Sequence, residues 1–387
     1  MWVSRVPLAW IDYAGAMARA TAPNSRSSLS TFGPWVLAAL LFAGALLFFL
    51  RPGAPKPPPR GVKANAAGAS SAAGSAPAAI ETAEVPAFDL LSPDASAPPS
   101  GVRSEIPWGP DGVGRGISED GYPGGPNSFA VGPDGSTWVL DQFQKRMVRI
   151  GPDGKILEVR PTKLESPADI ALGKDGSMAV IDRTRQQQVE LFDAQGRSRG
   201  TLPLPGSVPG QPSELTRVFV DKDKVYAQRG EGGPLFPLGG TDGTPKLGGE
   251  VNGQPSRDGR LLISAGITDY ETGRVWVGGA DPATQGHLFT REATVGNALE
   301  QILLLDSDVT GMIYLVVKAT FDDQGGASTL VLCVDGNARG RITRMFSLPY
   351  PNDPLDTFRK FDVAPEGGLL AAEYTETGVA YRMHSCR

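Results

Sequence analysis

Histidine and cysteine are the scarcest reactive residues here: His287, His384, Cys333 and Cys386 are the only four in 387 positions. Two cysteines exclude a disulfide framework and a cysteine-rich zinc site, and neither lies in a Cys-x-x-Cys. A Cys333–Cys386 bridge is available if the body lies in an oxidising compartment. The alternative is one buried thiol on the strand LVLCVD and one loose thiol at the terminus. With two histidines, a Ser-His-Asp triad must recruit one of them. His287 begins a strand in GHLFTR and His384 lies near the chain end, so both read as surface or edge residues. His-Glu-x-x-His and the phosphate loop are absent. From residue 102 onward, no apolar run keeps a 3.6 period beyond two turns, which excludes a helical body.

Positive charge is also missing where a polyanion would need it. Residues 1–63 carry seven Lys/Arg and one acidic residue, a net of +6, whereas the whole chain is −5, so residues 64–387 net −11. An acidic body argues against nucleic acid as a partner.

There is a single long hydrophobic run. GPWVLAALLFAGALLFFL, residues 33–50, holds no charge, and 18 residues of helix span a hydrocarbon core. Trp35 and Arg51 suit the two interfaces. No small-x-small cleavage site follows closely, and a core helix would need polar positions that this run lacks. The run predicts an uncleaved signal-anchor, a single span attaching the chain to a membrane. Before it, residues 1–32 form a polar segment in which Trp2, Val3, Val6, Leu8, Trp10 and Ile11 could make a short interfacial helix. Arg51, Lys56, Arg60 and Lys63 follow the span, and the charge count alone would keep the body in the cytoplasm. A lone N-terminal span followed by a long spacer argues instead for export, to a periplasmic or extracellular location, and export is the reading adopted.

Residues 51–104 are that spacer. RPGAPKPPPR has five prolines in ten residues, and the Ala/Ser/Gly-rich stretch after it cannot bury enough apolar area to order itself. A coil of about 50 residues spans on the order of 40 Å.

What the rest of the chain has in abundance is turns. SFAVGPDGSTWVLDQFQKRMVRI, residues 128–150, is echoed 41 residues later by DIALGKDGSMAVIDRTRQQQVEL. Gly132, Asp134, Gly135 and Asp141 fall on Gly173, Asp175, Gly176 and Asp182. Each copy reads as an apolar strand, a Gly-x-Asp-Gly turn, a second strand ending in Asp, a polar corner and a third strand. Four further strand clusters follow. The third holds TRVFVD, KVYAQR and PLFPL; the fourth RLLISAGI, RVWVGG and HLFTREA; the fifth ILLLD, MIYLVVKATF, STLVLCVD and ITRMFSL. The sixth, residues 360–383, matches the first at an offset of 232, with Phe361 on Phe129 and Gly367 on Gly135. It has three strands, and a fourth comes from near Glu105–Trp108, which closes a ring without an open edge. The expectation is an all-β, six-bladed β-propeller over residues 105–387.

The first cluster resembles an NHL-type propeller repeat. It has an apolar strand, a D-G turn, the strand Trp138-Val139-Leu140-Asp141, and Arg146 leading Met147-Val148. The second cluster keeps Asp182 but has Gln187 at the Arg position, the sixth has Glu373 and Gly378, and the others match only as strands. The resemblance covers about 100 residues and implies the fold, not a function.

Chemistry is harder to find. Asp306, Asp308 and Gly311 in DSDVTG fit three positions of a calcium loop, but Thr310 and Val317 do not fit the others, so DSDVTG reads as a hairpin turn. GVGRG, residues 112–116, precedes no helix and reads as a loop. Asp141 and Asp182 read as braces of their own corners. The innermost strand of each blade lines the axis, and the residues just before its first apolar position are Ser128, Asp169, Arg217 and Lys360. They are the candidate channel-mouth ligand site, or else rim hydrogen bonds with an Asp169–Arg217 pair. No catalytic, metal or cofactor residue is expected on the main reading: a non-catalytic binding or scaffold module for a protein or glycan partner. The polar, Gly-rich stretch Gly230–Arg260 serves it as a presented insertion. One alternative is a lactonase-like propeller hydrolase holding Ca2+ in the channel, for which Asp169 could serve but few Asn match, Asn127 and Asn352 lying in loops. Another is a purely structural part of an envelope complex.

Overall fold

A computed structural model describes residues 101–117, 121, 123–204, 212–320, 327–349 and 357–387. The expected span at 33–50, the segment 1–32 and the spacer up to residue 100 lie outside the described residues, as does Asn352. Among the described residues, no helix is long and apolar enough to cross a membrane.

The strands form six antiparallel blades. Blade one runs outward from the axis as Ser128–Val131, Thr137–Asp141, Arg146–Ile150 and Ile156–Pro161. Blade two repeats it with Asp169–Leu172, Met178–Asp182, Gln188–Phe192 and Ser198–Pro203. Their shared sequence produces the same local chemistry. Asp134 Oδ1 accepts the N–H and hydroxyl of Ser136 at 3.1 and 2.6 Å, and Asp175 Oδ1 does so from Ser177 at 3.0 and 2.6 Å. Gly135 and Gly176 follow at φ +76° and +81°, the left-handed region where a side chain would be strained. At the corner of blade one, buried Asp141 accepts the N–H groups of Gly114 and Gln144 and the Arg146 Nε–H, at 3.0 to 3.2 Å. Buried Asp182 accepts three backbone N–H groups, from Ser166, Thr184 and Arg185. These carboxylates brace corners.

Blade three has three strands, Leu215–Asp221, Lys224–Arg229 and Leu235–Gly240. Blade four differs from expectation. It has four strands where three were read: RLLISAGI falls in its second, Leu262–Asp269, followed by Arg274–Ala280 and His287–Thr294. The inner strand is Gln254–Pro255, two residues long. Such a strand carries no alternation to read, and Pro255 has no N–H to donate. The stretch Gly230–Arg260 is therefore not one presented insertion: it holds the outer strand of blade three and the inner strand of blade four.

Blade five has the expected four strands, Ala298–Ser307, Met312–Thr320, Ala327–Asp335 and Arg341–Pro349. DSDVTG is its first hairpin turn, with Asp308 Oδ1 accepting the N–H and hydroxyl of Thr310. Blade six is Phe361–Val363, Leu369–Tyr374 and Gly378–His384, completed by Val102–Pro107 from the other end of the body. Val102–Pro107 lies antiparallel to Gly378–His384, with Ile106 opposite Val379 and Ile106 fully buried.

Apolar clusters fill the seams between blades. Ile106, Phe129, Val139 and Tyr381 pack where the ring closes, and Phe129 meets Tyr381 edge-on at 5.0 Å. Cys333 on blade five and Cys386 beyond the third strand of blade six form a disulfide across their seam, so neither the free-thiol alternative nor a loose terminus holds. His384 is buried at 7%, its ring 6.5 Å from that of Phe346. The edge reading of His384 fails because the tail is folded back onto blade five. His287 is exposed and bonds Thr290.

Candidate functional site

The inner strands and the turns beside them bring seven ionisable side chains to the axis: Asp169, Arg217, Glu231, Arg257, Asp306, Arg359 and Asp362, with Glu231 coming from the turn after the second strand of blade three. Asp362 sits in the inner strand Phe361–Val363, all three residues of which are buried. With Phe361 and Val363 packed into the seams, the residue between them faces the axis. Asp306 lies near the end of the inner strand of blade five, and Arg257 in the turn just after the short inner strand of blade four.

These groups are paired across blades. Asp169 Oδ1 accepts the Ser128 hydroxyl at 2.6 Å, and Oδ2 accepts the Val218 N–H at 2.9 Å and Arg359 Nη2–H at 2.5 Å. Asp362 Oδ2 accepts the Val131 N–H at 2.7 Å, and Oδ1 lies 3.4 Å from Arg257 and 3.9 Å from Arg359. Asp306 Oδ2 takes Arg257 at 3.1 Å and Arg217 at 3.4 Å, while its Oδ1 takes its neighbour's Ser307 N–H at 2.7 Å and Arg257 Nε–H at 3.4 Å. Arg217 also donates to the Leu305 carbonyl at 3.0 Å and lies 3.6 Å from Glu231. Gln254 donates to the same carbonyl, and Gln228 to Gln254. One polar network thus joins all six blades.

Of the four residues singled out in the sequence, three meet here. Ser128 and Asp169 bond each other, and Arg217 lies on the next blade, where its neighbour Val218 donates its N–H to Asp169. The expected Asp169–Arg217 ion pair is not formed: Asp169 is taken by Arg359, and Arg217 by Asp306 and Glu231. Lys360 is half-buried, with its carbonyl accepting the Ala372 N–H in the blade. Its neighbour Arg359 is the residue that reaches the axis. Glu231, Arg257, Asp306, Arg359 and Asp362 were missed. A charged residue inside an apolar inner strand, as in FDV and LLLD, is the signal that could have found two of them.

At the end of the channel ringed by the Gly-x-Asp-Gly turns lies a cavity of about 400 Å3. Its floor is Arg217, Arg257, Arg359, Asp306 and Asp362, and its walls include Val131, Leu172, Val218, Val220, Val309 and Pro365. Ser128, Asp169 and Lys360 do not line it. The floor is largely buried: the side chains of Arg217, Arg359, Asp306 and Asp362 are 2 to 6% exposed, and only Arg257, at 23%, faces the opening.

Burial and pairing pull the titrations apart. Burial alone would raise Asp306, but the guanidinium groups of Arg257 and Arg217 more than offset it and hold its carboxyl below the usual range. Glu231 goes the other way. It sits between two left-handed glycines, Gly230 and Gly232, and a side chain on Gly232 would meet the Ala265 carbonyl at 2.9 Å. That turn presses Glu231 inward, and burial pushes it up to about 7 although Arg217 and Arg359 pull it down. A carboxyl raised in the folded state favours folding while protonated, so stability falls as pH climbs from its unfolded value near 4.5 through 7. Glu231→Gln is expected to be more stable than the parent at pH 8, by on the order of 2–3 kcal/mol, and close to it near pH 4, below the unfolded value. Urea melts at the two pH values check this, and a difference that does not shrink on acidification would refute it.

No protein-family profile matches the chain. No characterised protein matches its sequence. Solved structures align with part of it. They include Kuenenia stuttgartiensis hydrazine synthase, at TM-score 0.45 and 13% identity over 66% of this chain and 74% of that one. Virginiamycin B lyase from Staphylococcus aureus aligns at TM-score 0.39 and 10% identity, over 67% of this chain and 94% of that one. A streptogramin B lyase aligns at 0.37 and 12%, over 77% and 96%. The chain is a six-bladed β-propeller, and that statement rests on its strand order.

Proposed function

We propose that this chain is an exported, membrane-anchored propeller that acts as a non-catalytic binding module, engaging a protein or glycan partner at the channel mouth. One observation carries the reading. Each oxygen of Asp169, Asp306 and Asp362 already accepts an Arg, a hydroxyl or a backbone N–H. Carboxylates spent on holding guanidinium groups are unavailable as nucleophile or general base. They are equally poor calcium ligands, because a cation would have to displace an Arg from each. Among the described residues no three His, Cys, Asp or Glu side chains form a metal cluster. This pairing of Asp169, Asp306 and Asp362 favours the binding module over the lactonase-like alternative.

The Asp141–Arg146 pair at 3.2 Å supports an NHL-type reading of blade one. The Cys333–Cys386 bridge favours an oxidising compartment, and so export of the body. The test uses the full chain in detergent micelles. Adding millimolar Ca2+ or a chelator is expected to move the melting temperature by no more than about 1 °C, since only a ligand that binds the folded state stabilises it. An ion present at 100 times its Kd would add about 2.7 kcal/mol and several degrees. Such a shift, with turnover of a lactone, would return the hydrolase reading. A Cys333–Cys386 bridge missing from non-reducing peptide maps of cell-derived protein would remove the support for export.

A further inference from the structure

Charge does not decide what the mouth accepts. Lys174, Arg217, Arg257 and Arg359 line the cavity, and so do Asp221, Asp306, Asp362 and Glu366, four of each sign. At the rim, exposed Lys174 and half-buried Asp221 offset each other, and Glu366 is paired with Arg103 at 3.1 Å. What differs at the floor is hydrogen-bond satisfaction. Every oxygen of Asp306 and Asp362 is taken, as shown above, but the donors are not all used. Arg257 commits Nε–H to Asp306 and Nη2–H to Asp306 and Asp362, which leaves Nη1, open to the mouth, without an acceptor among the described residues. The Nε–H groups of Arg217 and Arg359 are buried with no acceptor either. The buried acceptors that lack a donor, on Gln228 and Glu231, belong to residues that do not line the cavity.

A floor with surplus donors and no spare acceptor calls for a ligand that brings acceptor oxygens. The guanidinium edge is planar and matches a carboxylate, in surroundings where a charge-assisted bond is strong. The walls above it are mainly apolar, Val131, Leu172, Val218, Val220, Val309 and Pro365, with Ser256 and the rim charges Lys174, Asp221 and Glu366 beside them. They suit an apolar body. Resting on the binding-module reading, we infer that the channel mouth recognises a carboxylate carried on a compact apolar group, seated against Arg257 Nη1. A free small acid and an acidic side chain flanked by apolar residues share that chemistry.

The experiment is calorimetric titration of the full chain in detergent micelles, with empty micelles as the blank. The probes are phenylacetate, 2-phenylethanol and phenethylamine, and two end-capped tripeptides, Leu-Glu-Leu and Leu-Gln-Leu. An acid is expected to saturate at least about 10-fold more tightly than its uncharged partner, with no binding of the amine. Whether phenylacetate or the Glu tripeptide binds identifies the source. Arg257→Gln is expected to remove that preference. Because this change also unpairs Asp306 and Asp362, a second variant, Val309→Trp, blocks the mouth from an exposed turn without touching a charge, and is expected to abolish binding while the melt is unchanged. The inference falls if the alcohol or amine binds as well as the acid, if no acid saturates, or if binding survives Val309→Trp. If no acid saturates but a photocrosslinker at position 309 captures one partner stoichiometrically, the ligand class is wrong and the binding module stands. If the crosslinker also captures nothing, both fail.

Discussion

Deleting Val102–Pro107 from the full chain is expected to lower the melting temperature by about 10 °C or more and to make the protein aggregate. The six residues are a small fraction of the body, but they close it. Ile106 is fully buried beneath Val379 and Tyr381, and its loss alone removes about 2–4 kcal/mol once the cavity is counted. Several ladder hydrogen bonds to Gly378–His384 go with it, each worth roughly 1 kcal/mol. Trp108, stacked on Tyr374 at 6.2 Å and donating its indole N–H to the Thr375 carbonyl, loses its tether. The total is on the order of 5 kcal/mol or more, and a domain of this size loses about 2–4 °C per kcal/mol. Aggregation follows from geometry, because the strand left at the edge of blade six would expose unpaired N–H and C=O groups. Circular dichroism melts and light scattering of the deletion measure both effects. A melt matching the parent would mean that the N-terminal strand decorates the ring and does not close it.

The closing strand was legible because blade six visibly lacked a partner: its repeat ends after three strands, and EIPW stands just ahead of blade one. The turns were legible too. A Gly-x-Asp-Gly hairpin is specified within five residues, with Asp134 and Asp175 bonding groups two positions away. The axis was less legible, because its members are joined only by the ring. Asp169 and Arg359 are 190 positions apart, and Arg217 and Asp306 are 89. Nothing local to either tells which opposite charge it will meet, so the Asp169–Arg217 pair was a reasonable wrong answer. Lys360 in place of Arg359 is a slip of one residue, which in extended chain sends the side chain to the other face. Arg257 was hidden for a different reason. The strand before it is two residues long, and no periodicity survives in so short a segment.

Asp169→Ala is expected to destabilise the propeller by about 3–5 kcal/mol, Arg359→Met by less, and the double variant by less than the two together. The asymmetry comes from what each truncation strands. Removing the carboxylate leaves Arg359 charged and 6% exposed, and also orphans the Val218 N–H and the Ser128 hydroxyl. Removing the guanidinium leaves Asp169 still held by those two neutral donors. In the double variant the buried cation, which Asp169→Ala leaves with only Asp362 at 3.9 Å, is gone, so a coupling of about 1–3 kcal/mol is expected between the two sites. Urea denaturation of the parent, both single variants and the double gives this number directly. Additivity within about 0.5 kcal/mol would mean that the two side chains do not act on each other across the axis. Such a coupling bears on the mouth. Arg359 also faces Asp362, which helps to hold Arg257. Loosening the pair below should therefore let the Arg257 guanidinium turn away from the opening. Asp169→Ala would then weaken ligands at a cavity it does not line, while Val309→Trp would block the same cavity at no expense to stability.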